Sequence, residues 1–321
     1  MTSSVAAINS ADVAVLSTNV VSILSAAQVG AISTVGTLTT AQVAVIGATG
    51  ASGLTATQVG SVTTAQVAAL NTSAATGLTN SVVGTLSAAQ LNALSTAAVN
   101  VLSAGQVSNI LGARLASGFS TAQVLALSTV GISGLDNSQT LQLSTAQLNV
   151  LTSTQAQALT AVAVSGLTSA GVGGLNTTAV ANFRTTQFSG LTSANVIGLT
   201  TAEVAAVSST QVTGFSTAAV AGLTTSQVAA INTVSLPLLT STQVGALTSS
   251  QTAAFSTVAG TVLTSTQIGS LSTVGVVGLT TSVVDGFTSQ QITGFTSAGV
   301  GVLSTTSIFN LDTTQSDGLT S

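Results

Sequence analysis

Cysteine, histidine, tryptophan, tyrosine and lysine are all missing from this chain of 321 residues. Without cysteine there are no disulfides and no thiolate metal sites, and the redox compartment stays undetermined. Without histidine, lysine or cysteine, the many Ser and Thr hydroxyls have no usual base to activate them, so a non-enzymatic role is expected. Charge is scarce as well. The charged side chains are Asp12, Arg114, Asp136, Arg184, Glu203, Asp285, Asp312 and Asp317, for a net charge of −4. Two arginines cannot supply the clustered cations that nucleic acid demands, so no nucleic-acid partner is expected. So few charges also leave copies of the chain little reason to repel one another.

Long apolar runs are the next absence. The chain is 45% hydrophobic, yet Ser, Thr or Gln breaks up its apolar stretches, VGVVGL at 274–279 being among the longest. A spanning helix needs roughly 20 apolar residues, so no transmembrane segment is expected. The start, MTSSVAAINSADVAV, has neither a basic n-region nor a continuous apolar h-region, so no N-terminal secretory signal is expected. Abundant Leu, Ile and Val with little charge oppose disorder.

What the chain does contain is one phrase repeated. Apolar residues that precede a Ser/Thr-type residue fall at Ile8, Leu16, Leu24, Ile32 and Leu38, then at every eighth residue to Ile110. The count restarts at Phe119 and runs without slip to Leu311 and Leu319, which gives 39 complete octads. Two break the count: 32–37 is two residues short and 110–118 is one too long. Position 1 is Leu, Ile, Val or Phe, and position 2 is Ser, Thr, Asn or Asp except at Gly47, Leu111 and Arg184. Gln is frequent at position 5, an aliphatic at position 6, and small residues at positions 7 and 8. No shift in composition separates domains, so one continuous solenoid over 1–321 is expected, with 32–37 and 110–118 as the candidate seams.

Ser, Thr, Asn and Asp share a short side-chain oxygen that accepts from a backbone N–H, which is the preference of a helix N-cap. Gln three residues later completes a capping box, and positions 1 and 6 form the two ends of a hydrophobic staple. Gly at position 7 or 8 suits a left-handed C-terminal residue. Each octad therefore predicts a short α- or 3-10-helical turn followed by an extended corner. One long helix is excluded, because eight residues at 3.6 per turn rotate the apolar row by about 80° per repeat. A β-solenoid remains the alternative, since Val and Thr favour strands. In either form the octad buries its apolar side only by stacking on its neighbours.

A longer rhythm places Gln187, Gln227 and Gln267, and likewise Gln211, Gln251 and Gln291, at steps of 40 residues. It predicts a coil in which every fifth octad returns to an equivalent face. Gln at position 5 also suits ladders between stacked coils, alongside capping. Asp312 and Asp317 are candidate calcium ligands, against the plain reading of Asp312 as an N-cap and Asp317 as a solvated substitution. Arg184, inside FRTTQFSG and flanked by Phe183 and Phe188, offers a subunit contact, a pairing with Glu203, or a plain surface substitution. No catalytic or cofactor-binding residue can be named.

The octads LTTAQVAV (38–45), LSTAQLNV (143–150) and LTTSQVAA (223–230) resemble the low-complexity octad repeats of large bacterial surface and extracellular proteins. That resemblance covers nearly the whole chain and implies adhesins, surface layers or filament subunits, and with them an extracellular or cell-surface location. LTSTQV is also similar to the helix-opening phrase of some DNA-binding α-solenoid repeats, but their length and basic residues are missing. The expected function is a structural protein that self-assembles into a filament, sheath or surface layer, its partner being further copies of itself. The alternatives are an adhesin stalk, a Ser/Thr array that binds ice or polysaccharide, and a passive spacer.

Overall fold

The computed structural model describes residues 10–319. Among them are 36 short α-helices and three 3-10 turns, and no strand beyond a single bridging residue at Ile32. The first nine residues, and with them the expected absence of a secretory signal, lie outside the described residues.

The octad containing Thr240 shows why each repeat turns. Thr240 is extended (φ −67°, ψ 157°) and caps helix Ser241–Gly245 by accepting from the Gln243 backbone N–H at 3.2 Å. Gln243 answers by accepting the Thr240 backbone N–H at 2.7 Å, which closes the capping box. The helices run from four residues, as in Thr40–Val43, to seven in Gly112–Gly118. Termination differs from expectation, because no described residue, glycine included, has positive φ. The helix ends in right-handed backbone, and the next position-1 residue turns the chain by becoming extended, as at Leu271 (φ −57°, ψ 132°).

The glycines serve close approach instead. A Cβ on Gly134 would strike the backbone oxygen of Ala104, and one on Gly278 would strike that of Ser249. Position 8 thus lies against position 3 of an octad three repeats earlier.

That offset of three is general. Helix Ser249–Ala253 packs on Thr273–Gly278, and helix Ala48–Ala51 on Thr72–Gly77, each pair separated by three octads. A coil therefore holds three octads, or 24 residues, and octads three apart stack into rows. The expected five-octad return is overturned: the 40-residue rhythm of glutamines has no counterpart in the stacking.

The irregular octads are absorbed locally. The short one forms the 3-10 turn Val35–Thr37 in place of an α-helix, and the long one forms the seven-residue helix. The chain divides into two compact units, Met1–Gly166 and Leu167–Ser321. Their division falls at an ordinary octad junction, between the octads that begin at Leu159 and Leu167.

In both units, positions 1 and 6 form the core. Leu148, Val204 and Phe188 are buried at position 6, and Leu151, Leu199 and Phe215 at position 1. Burying one such side chain contributes about 1.5–3 kcal/mol, which an isolated octad could not obtain. Phe188 meets Phe183 and Phe215 edge to face, with centroids 5.9 and 4.9 Å apart. The phenylalanines flanking Arg184 are therefore core residues.

Candidate functional site

The feature that organises the array is position 5. Its side chain points into the fold, and where it is Gln it is almost wholly buried, as at Gln106, Gln187 and Gln243, with partly buried Gln28 near the start the exception. A buried carboxamide needs partners for both its acceptor and its donor. Oε1 serves the capping box of its own octad, as described for Gln243. Nε2 crosses to the preceding coil, where Gln243 donates to the Val212 carbonyl at 3.0 Å and the Phe215 carbonyl at 2.7 Å. Those carbonyls belong to the end of one helix and the corner after it, groups that an α-helix leaves without internal partners. One side chain thus starts its own helix and satisfies the end of another.

The same pair of bonds recurs at constant offset. Gln227 reaches Val196 and Leu199, Gln251 reaches Val220 and Leu223, and Gln267 reaches Leu236 and Leu239. Around the long octad the offset grows by one residue, so that Gln139 bonds the Val107 and Ile110 carbonyls at 2.7 and 2.6 Å. The clamp follows the stacking and is indifferent to the residue count. The glutamines link coils by donating to backbone carbonyls, which corrects the expected ladder of glutamines.

Other residues reproduce the clamp, and composition gave no hint of them. Arg114 occupies position 5 of the long octad and donates from Nη1 to the Gly84 carbonyl at 2.7 Å. Where position 5 is Ala74, the cap Asn71 takes over both tasks. Its Oδ1 accepts from the Ala74 N–H, and its Nδ2 donates to the Ala44 and Ile46 carbonyls at 2.7 and 3.0 Å. Asn232 does the same for the Ala205 and Val207 carbonyls. Thr140 and Thr252, polar residues at the apolar position 6, send buried hydroxyl bonds to the Ala163 and Gly275 carbonyls of the following coil. Their signal was available: each is a polar residue with a donor at an inward octad position.

The three octads without a capping side chain adapt differently. At Gly47 the cap has no side chain, and the Ala48 N–H donates to Ser73 Oγ of the next coil at 3.1 Å. Arg184 cannot accept, and only the return bond from its backbone N–H to Gln187 Oε1 is made, at 2.7 Å. Leu111 caps nothing and is exposed. The octad of Arg184 stacks with that of Val207, whereas that of Glu203 stacks with that of Leu175. The two residues therefore sit on different rows.

Asp312 accepts from the Gln315 N–H at 2.7 Å as an ordinary N-cap of helix Thr313–Gly318. Asp317 stands near the other end of that helix, a rise of about 7.5 Å away. Among the described residues no three acidic side chains gather into a metal-binding group. An interior void of about 20 Å³ between the coils of Met1–Gly166 is lined only by apolar residues such as Val35, Val67 and Leu86. It has the size of one water and offers it no hydrogen-bond partner. No helix among the described residues is long and apolar enough to cross a membrane.

The exterior carries positions 2, 3, 4 and 7. Among the described residues of Leu167–Ser321, five of the eight exposed large apolar side chains lie on one row: Val234, Leu238, Val258, Ile308 and Phe309. Val234 and Val258 occupy position 4 in successive coils, and Phe309 is 89% exposed. In Met1–Gly166, Val20, Ile23, Leu111, Leu141 and Val162 also share a single row. Comparison of the chain with family models, with curated proteins and with solved structures finds no match to any of the three.

Proposed function

We propose that this chain is a non-enzymatic structural protein, a tandem-repeat solenoid whose copies associate through their outer faces into a filament, sheath or layer. The observation that carries the proposal is the apolar row on the exterior of each unit, on a surface almost free of charge. Val234 and Val258, at the same octad position one coil apart, and Phe309 farther along the row give a second copy apolar surface to cover. The scarcity of charge removes the repulsion that normally keeps soluble chains apart. The resemblance to octad repeats of bacterial surface proteins supports a cell-surface or extracellular setting.

Light scattering and negative-stain microscopy across a concentration series test this reading. Ordered assemblies that grow with concentration are expected, and they should be lost when Val234, Val258 and Phe309 are replaced by Ser. A monodisperse monomer at every concentration rejects it.

A second reading rests on a different row, where exposed Thr240, Thr264 and Thr288 recur at the 24-residue step. A regular hydroxyl array suits ice or polysaccharide. Thermal hysteresis or retention on a glycan array would favour that reading over assembly.

A further inference from the structure

Glu203 stands where the other buried polar residues at position 5 place a donor. It is only 5% exposed, and its Oε2 accepts from the Thr200 N–H at 2.8 Å and the Thr200 hydroxyl at 3.0 Å, as a glutamine Oε1 would. A carboxylate has no N–H to offer from its other oxygen, Oε1, which can only accept. In the next coil of the same row, Gln227 Nε2 lies 3.0 Å from the Val196 carbonyl and 2.7 Å from the Leu199 carbonyl, at sequence offsets of 31 and 28. The same offsets from Glu203 lead to the carbonyls of Val172 and Leu175. A carboxylate oxygen and two carbonyl oxygens are all acceptors. The register of the row thus sets three acceptors where Gln227 sets an N–H pair against two carbonyls.

Other inward polar residues at this position avoid the conflict. Asn195 donates to the Leu167 carbonyl and Ser235 to the Val207 carbonyl. Arg184, the other charged residue nearby in the sequence, lies on a different row. Beside Glu203 the stack opens into a groove of about 410 Å³, lined by Thr177, Thr178, Ala181, Ala202 and Ala206. The groove is uncharged apart from Glu203 and connects the carboxylate to solvent.

We propose that Glu203, with the Val172 and Leu175 carbonyls, binds a hard cation that takes the place of the missing amide hydrogens and joins the two coils. Hard cations select oxygen ligands, carboxylate and backbone carbonyl among them, and keep waters in the remaining positions. The groove supplies room for those waters and two threonine hydroxyls to order them. A single carboxylate with neutral oxygens can hold sodium, potassium or calcium, and the arms of the experiment separate them.

The test compares thermal unfolding of the full chain and of Glu203→Gln in choline, sodium, potassium and calcium chlorides at matched ionic strength. The wild-type chain should gain about 2–4 °C in the salt of the bound cation relative to choline, because a ligand held only by the folded state raises Tm. Glu203→Gln restores the amide found in the next coil at Gln227, so it should match or exceed the best wild-type Tm in choline and lose the dependence on cation. An identical wild-type Tm in all four salts overturns the proposal. So does a cation-dependent shift that persists in Glu203→Gln. Either result leaves the assembly reading untouched, since Glu203 is not on the apolar row.

Discussion

Replacing Gln243 with Ala isolates the contribution of one clamp. The side chain makes three hydrogen bonds, one to its own cap and two to the Val212 and Phe215 carbonyls of the preceding coil. A hydrogen bond contributes about 0.5–1.5 kcal/mol net, but a buried partner left alone costs about 1–3 kcal/mol. Gln243 is 2% exposed, so water does not readily replace it. The Val212 carbonyl keeps a weak bond from the Phe215 N–H at 3.4 Å, which leaves the Phe215 carbonyl as the main loss. The expected destabilisation is therefore about 2–4 kcal/mol, well above the roughly 0.5 kcal/mol of an ordinary surface change. Urea unfolding followed by far-UV circular dichroism measures it as a shift in midpoint at constant slope. The array supplies its own rescue: with Ala74 at position 5, Asn71 clamps from position 2. Adding Thr240→Asn to Gln243→Ala should recover about half of the loss, by restoring a donor to the Phe215 carbonyl. If the single variant unfolds at the wild-type midpoint, or the double variant is no better than the single one, the amide is not what joins the coils.

Gly278→Ala should destabilise by about 1–3 kcal/mol despite its ordinary backbone, because the new methyl meets the Ser249 carbonyl and Thr252 Oγ1. A neutral or positive shift in the urea midpoint would show that the coils can move apart at no cost. Arg114→Gln should stay within about 0.5 kcal/mol of wild type, while Arg114→Ala loses about 1–3 kcal/mol, because only the glutamine keeps a donor for the Gly84 carbonyl. Equal effects of the two substitutions in the same assay would contradict a clamp role for Arg114.

The helical character was legible because it is local. A cap at position 2, Gln at position 5 and the apolar pair at positions 1 and 6 all act within one octad, and Thr240 and Gln243 show them acting together. The number of octads per coil was not legible, because every octad is equally competent to follow any other. Only the long-range bonds of Gln243 or Asn71 reveal which coil lies beneath. Glycine misled for a related reason: a missing Cβ serves a left-handed turn and a tight backbone contact equally well, and at Gly278 the contact is the cause. The 40-residue spacing of glutamines was a true sequence pattern without a spatial meaning, whereas the 24-residue step from Gln42 to Gln66, Gln90 and Arg114 follows one row.

That row explains why the chain does without charge. A stack of coils has one recurrent electrostatic problem, the carbonyls left at each helix end, and a neutral carboxamide answers it while also closing the next helix start. A lysine would satisfy the carbonyls but could not accept from the cap, and a carboxylate would accept from the cap but could not reach the carbonyls as a donor. Gln does both without carrying a charge into the interior, where an unpaired ion is costly. Arg114 is tolerated because the seven-residue helix has no polar cap for it to answer. Glu203 is the converse case, with its cap satisfied and no N–H to give, so a cation has more to offer there than at the exposed pair Asp312 and Asp317.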